Sequence, residues 1–274
     1  MAWFRRVEPL RFTGTVGKDE FQRRCAAVPY WYHSFHFDNG FSLRGNYDVG
    51  KDIADYVFPD VKGKRVLDVG TANGWFAFWL EQQGAEVTDV DVRDDGDLDC
   101  FGQFAHAPPS AAPNRWAEDG TPLFCRRAID GFWVMHEMLG SKVRFRNARA
   151  GELDPDQLGI FDVVFLGTLL VHVRDPIGAL CGARRVCRGQ VMATTVVSDD
   201  PSPEPSQKLL ANKPGDWGWW LPNAACFRAW FLAAGFREPD LKRSVTVRRD
   251  APRQFDREDV AQRDHVLRLG VAVV

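Results

Sequence analysis

Residues 64 to 91, KRVLDVGTANGWFAFWLEQQGAEVTDVD, constrain the fold more than any other stretch of the chain. Arg65 to Val69 is a short apolar run and reads as a buried strand, and Gly70 to Gly74 is a turn of small residues. Trp75 to Gln83 carries apolar residues at helical spacing, and Ala85 to Asp91 reads as a second strand ending in an acid. Together they are the parts of a βαβ unit, in which a helix crosses over between parallel strands. The chain is therefore predicted to build an α/β fold on a mostly parallel sheet.

The turn discriminates between ligands. A dinucleotide fingerprint counted from Gly70 places glycines at 72 and 75, where Ala72 and Trp75 stand. An indole at the close-packing position, with Asp68 just before the turn, disfavours a pyrophosphate. A cationic ligand with an amino-acid tail suits that acid. Asp91, at the tip of the second strand, is placed to accept from a pair of ribose hydroxyls. S-adenosylmethionine (SAM) combines a sulfonium, an α-ammonium and a free ribose.

On these residues, Val66-Leu-Asp-Val-Gly-Thr-Ala-Asn-Gly74 resembles motif I of class I SAM-dependent methyltransferases. The departure is Ala72, where that family usually has a glycine; a positive φ there would cost an alanine something. The resemblance implies a Rossmann-like fold with a seven-stranded sheet and helices on both faces. It implies that Asp68, Gly70, Thr71, Gly74, Asp91 and Gly167 serve the cofactor and that Glu152 accepts from the adenine amino group. The alternative for Glu152 is an exposed surface carboxylate.

The chain has 274 residues, 45% of them apolar, enough for one large catalytic domain. A net charge of −2 with acids and bases interspersed gives no electrostatic reason to expect a nucleic-acid partner. Six cysteines, at 25, 100, 125, 181, 187 and 226, form no C-x-x-C pair or metal-ligand spacing, so reduced thiols and a cytoplasmic location are expected. No metal is predicted: an EF-hand loop with Gly96 as its glycine would need acids at 93 and 102, where Arg93 and Gly102 stand. No run is long and apolar enough to span a membrane, and no targeting signal is apparent.

Residues 1–60 read as an N-terminal helical and aromatic cap, with a short helix over Asp19–Ala27, an aromatic-polar alternation from Pro29 to an Asn39-Gly40 turn, and a helix over Asp48–Phe58. His33 and His36 are each either a base or a packed ring. Trp31-Tyr-His-Ser34, Asn39-Gly40 and Arg44-Gly-Asn-Tyr-Asp48 resemble the segment before motif I in methyltransferases related to the bacterial tRNA wobble-uridine carboxymethyltransferase. That group also holds natural-product and sugar methyltransferases. The resemblance implies that this segment, with Trp31, Tyr32 and His36, closes over the cofactor and contributes to the substrate pocket.

Residues 61–274 then form the methyltransferase domain, with substrate-side insertions at 93–125 and 198–222. A helix over Leu123–Leu139 and a third strand over Lys142–Arg146 follow the first insertion. Phe161 to Leu166 is a buried strand, and Asp175-Pro176 caps the helix that follows. Residues just past the carboxyl end of such a strand line the crevice, so His172 is placed on the active-site rim, as a base for a substrate hydroxyl or as packing. This stretch resembles the tRNA enzyme's segment, in which a tyrosine before the histidine holds the carboxylate of carboxy-SAM. Here Val171 offers no donor, which favours ordinary SAM. Trp217, Trp219 and Trp220 either stack on a ligand or plug the lid to the core. The expected activity is O-methylation of a small molecule such as a natural product or sugar, with His172 and His33 as candidate bases. The alternatives are tRNA wobble-uridine modification, N-methylation of a small amine, and a SAM-binding scaffold without catalysis. The oligomeric state is open, a homodimer being one option.

Overall fold

The protein is described from a computed structural model over residues 9–28, 30–93, 99, 128–210, 218–249 and 265–273. Its first helix, α1 (Lys18–Ala26), carries Asp19 and Glu20 in the first turn and Arg23 and Arg24 in the last, which suits the helix dipole, and buries Phe21 and Cys25. Two short strands, β1 (Phe35–His36) and β2 (Ser42–Leu43), pair around the Asn39-Gly40 turn, where Gly40 has φ 83°. Next comes β3 (Tyr47–Asp48). The helix predicted over Asp48–Phe58 is instead a 3-10 helix at Gly50–Tyr56, ended by Val57 at φ 47°. Asp48 is taken into β3, and Pro59 disfavours helical backbone at Phe58, which leaves room for only a short, tight helix.

The predicted βαβ unit follows as β4 (Arg65–Val69), α2 (Trp75–Gln82) and β5 (Glu86–Asp91). Then come α3 (Ala128–Leu139), β6 (Arg144–Asn147), α4 (Pro155–Leu158), β7 (Phe161–Leu166), α5 (Pro176–Arg185) and β8 (Cys187–Val196). The chain closes with the pair β9 (Gln207–Leu209) and β10 (Trp220–Pro222), α6 (Ala224–Ala233), β11 (Asp240–Arg249) and β12 (His265–Val273). The predicted helix start at Leu123 lies outside the described residues.

The main sheet runs β3-β11-β12-β8-β7-β4-β5-β6. From β6 to β8 the neighbours are parallel, and β12 runs antiparallel to both β8 and β11. These seven strands are the predicted sheet; β3 adds a short eighth at the β11 edge. The strand order reverses between β4 and β7, which opens the crevice where such folds bind ligands.

One face of the sheet, with Val66, Val87, Val163 and Phe165, packs on Trp75, Phe76 and Phe78 of α2, on Phe132 and Met135 of α3, and on Phe21, Phe35 and Tyr56 of the N-terminal segment. The other face, with Leu67, Val69, Val164 and Leu166, packs on Leu180 of α5 and on Phe227 and Phe231 of α6. The N-terminal segment thus shares its core with the sheet. Among the described residues, no helix is long and apolar enough to cross a membrane, and Cys25, Cys181, Cys187 and Cys226 are free thiols.

Candidate active site

The turn after β4 alternates through the left-handed region: Gly70 has φ 83°, Ala72 φ 51° and Gly74 φ 85°. Gly74 is required twice over, because a Cβ there would lie 2.6 Å from Phe78 and 2.7 Å from Phe132, where α2 meets α3. The backbone N–H of Ala72 donates to Asp91 Oδ2 at 2.9 Å, and that of Val92 donates to Asp91 Oδ1 at 2.7 Å. Each Asp91 oxygen keeps a second acceptor position. Burial raises the Asp91 carboxyl, and these two bonds oppose that.

Asp68 lies on β4 directly beside Asp89 of β5, and both are buried. One oxygen of Asp68, both oxygens of Asp89 and the Thr71 hydroxyl have no hydrogen-bond partner. Burial and the neighbouring Asp91 raise Asp68, and burial and the neighbouring Asp68 raise Asp89 well above the carboxylate range; the Thr71 hydroxyl lies close enough to oppose both shifts but forms no well-aligned bond to either.

The N-terminal segment is fastened to this turn by Asn73, which is fully buried. Its Oδ1 accepts from the backbone N–H of Tyr32 at 2.5 Å and of His33 at 3.3 Å. Trp31 is buried and donates from its indole to the Cys25 carbonyl at 3.0 Å. His33 is buried against Phe76, its Nδ1 is unpartnered, and burial lowers it to about 3. The Tyr32 ring contacts His33 and Tyr47.

His36 has its partner twelve residues on, in β3. Its Nε2 lies 3.1 Å from Oδ2 of Asp48, and Lys51 Nζ lies 2.7 Å from the same oxygen. The Asp48 side chain is 1% exposed, whereas those of His36 and Lys51 are 37% and 46% exposed. Burial pushes the Asp48 carboxyl up, but the bonds from His36 and Lys51 outweigh it and hold the group below its ordinary value. Because β3 pairs with the carboxyl end of β11, Asp48 lies at the crevice edge of the sheet. Gly50 lies between it and the Trp75 indole, at the start of α2.

On the other side of the crevice, Gly167 and Thr168 follow β7. Thr168 takes φ 58° and donates its N–H to Thr194 Oγ1 of β8 at 2.9 Å. His172 ends a 3-10 turn over Leu170–His172, half-buried. The Val171 carbonyl accepts from Trp219 at 2.7 Å. Trp219 is buried under the Arg174 guanidinium, and Trp220 donates from its indole to the Arg174 carbonyl at 3.0 Å. Glu152 is exposed on the 3-10 turn Ala150–Glu152, which packs on α5. Trp217 lies outside the described residues.

Asn73, Asp89, Asp48 and Thr194 were missed in the sequence. Only the first carries a local signal, as the sole amide in a turn of small residues.

SAM fits the residues present. Asp68 offers a buried, unpartnered carboxylate oxygen beside the turn, and Asp91 retains acceptor positions on both oxygens. The comparisons agree. Residues 43–238 match the methyltransferase-domain family. The tRNA U34 carboxymethyltransferase of Azotobacter vinelandii is 27% identical over 65% of this chain and 47% of its own length. That of Pseudomonas aeruginosa is 29% identical over the same shares. The chain spans about half the length of the curated relatives it matches. The N-terminal domain of EvdMO1, solved in the presence of S-adenosylhomocysteine (SAH) and D-fucose, superposes with a TM-score of 0.60 at 19% identity, over 95% of this chain and 98% of that one. The chain belongs to the methyltransferase-domain family and has the fold of the class I SAM-dependent methyltransferases.

Proposed function

We propose that the protein methylates a hydroxyl of a small molecule, a sugar or another natural product, and that His36, oriented by Asp48, takes up the hydroxyl's proton. The observation that supports this most is the His36–Asp48 contact of 3.1 Å at the crevice edge of the sheet. A histidine held by a buried carboxylate is the arrangement of an oriented general base. SAM, when bound, supplies an electrophilic methyl group on a sulfonium. Asp68, Gly70, Thr71, Gly74, Gly167 and Asp91 would hold it, and the protein adds positioning, water exclusion and proton removal. His172, on the rim by topology, is the second candidate base. His33, buried and neutral, shapes the wall. Trp31 and Tyr32 back that wall, and Trp219 and Trp220 brace the lid.

The D-fucose present with EvdMO1 makes sugars the first acceptors to try. The curated relatives favour tRNA as the second reading. Labelled methyl transfer to free sugars, phenols, small amines and unmodified tRNA separates them. Label on a hydroxyl is expected, and label on tRNA or an amine alone refutes the acceptor class. His36→Ala should lower kcat by roughly 10²- to 10⁴-fold and remove the acidic limb of its pH profile. An unchanged kcat in both His36→Ala and Asp48→Asn refutes the proton role.

A further inference from the structure

Two carboxyl groups side by side on neighbouring parallel strands are about 5 Å apart at the backbone. Asp68 and Asp89 are such a pair, on the sheet face covered by α2 and α3. Asp68 is 2% exposed and Asp89 0%. Their flanking register partners are Phe165 on β7 and Phe145 on β6. The titratable groups from the elements on this face are engaged elsewhere or apart from the pair. Glu81 accepts from Ser141 and Lys142, His136 bonds the Val143 carbonyl, and Glu137 pairs with Arg24. His33 faces Phe76, and Asp130 lies in the first turn of α3. The further charge that raises both is Asp91, a third acid. Among the described residues, no cation bonds either carboxyl. Three of their four oxygens lack a well-formed hydrogen bond, and the Thr71 hydroxyl and the Val90 N–H only partly offset their burial.

We propose that Asp68 and Asp89 share a proton in the cofactor-free protein and release it when the positive charge of SAM arrives, so that Asp89 tunes the site to prefer SAM over SAH as pH rises. Two buried like charges in contact cannot both be ionised without compensation. An arriving sulfonium and ammonium provide that compensation, whereas SAH carries one positive charge fewer. Linkage makes the effect reciprocal: whatever drives the proton off tightens the cation, and rising pH does both. The pair thus separates substrate from product by charge at the bottom of the crevice. This rests on SAM binding and not on the identity of the acceptor.

The test is calorimetric titration of the full chain with SAM and with SAH at pH 6, 7 and 8, in phosphate and in Tris, whose ionisation enthalpies differ. Release of up to one proton per SAM is expected, with less for SAH. SAM affinity should rise by up to roughly tenfold between pH 6 and 7, and SAH affinity by less. Asp89→Asn should bind SAM with little proton release and a flattened SAM-to-SAH ratio. Buffer-independent enthalpy for SAM at all three pH values overturns the proposal, and so does equal proton release with SAM and SAH. Both are read on the wild-type protein, so they stand even if the variant fails to fold. Binding of neither ligand would refute the cofactor assignment and this proposal with it.

Discussion

At φ 51° the Ala72 backbone lies where a Cβ crowds the neighbouring carbonyl, a conformation that costs a non-glycine residue about 1 kcal/mol or more. The turn keeps it there because the Ala72 N–H must reach Asp91 and because Gly70 and Gly74 bracket it with positive φ. Replacement by glycine relieves that strain at some cost in unfolded-chain entropy. Ala72→Gly should therefore raise the unfolding free energy by about 0.5–1 kcal/mol, read from urea denaturation. A lower midpoint would mean that the methyl group packs against something worth more than the strain. The departure at this position was visible in the sequence. Its backbone angle was not, because φ follows from where Asp91 stands.

At the scale of elements, Asn73 joins two parts that the sequence presents as separate, the motif turn and the aromatic segment. Its buried amide oxygen takes the N–H groups of Tyr32 and His33, which β-pairing leaves over at that bend. Removing the acceptor leaves two buried donors unsatisfied, at about 1–3 kcal/mol. Asn73→Ala should accordingly lower stability by that amount and weaken SAM binding by loosening the wall formed by Trp31 to Phe35. Thermal denaturation and calorimetry check this, and a fully stable Asn73→Ala would refute the clamp. The hairpin at Asn39-Gly40 was legible because turn chemistry is local. The 3-10 helix at Gly50–Tyr56 was not, since helical periodicity does not report the i+3 bonding that a short, crowded segment adopts.

For the molecule as a whole, the buried acids reverse the usual pH dependence of carboxylates. Asp68 is pushed up to about 7 by burial and by Asp91. Between the unfolded carboxyl value near 4 and that value, the folded chain binds more protons than the unfolded one, so these groups make stability fall as pH rises. His33, lowered to about 3, acts oppositely: its contribution is lost as pH falls below about 6.5. The difference in unfolding free energy between Asp89→Asn and the wild type isolates the acids. It should favour the variant increasingly from pH 5 to pH 8 and vanish near pH 4, as measured by denaturant titration without cofactor; a pH-independent difference would refute the buried protonated pair. The sequence by itself determined the βαβ core, the sheet, the motif turn and the cofactor class. Each is written in local periodicity and in residue types within one short segment, and backbone geometry does the rest. Only the tertiary structure decided that Asp89 stands beside Asp68, that Asp48 holds His36, and that Trp219 is buried rather than open to the crevice. Those relations depend on strand register and on how separate segments pack, and neither leaves a signal in the spacing of residues.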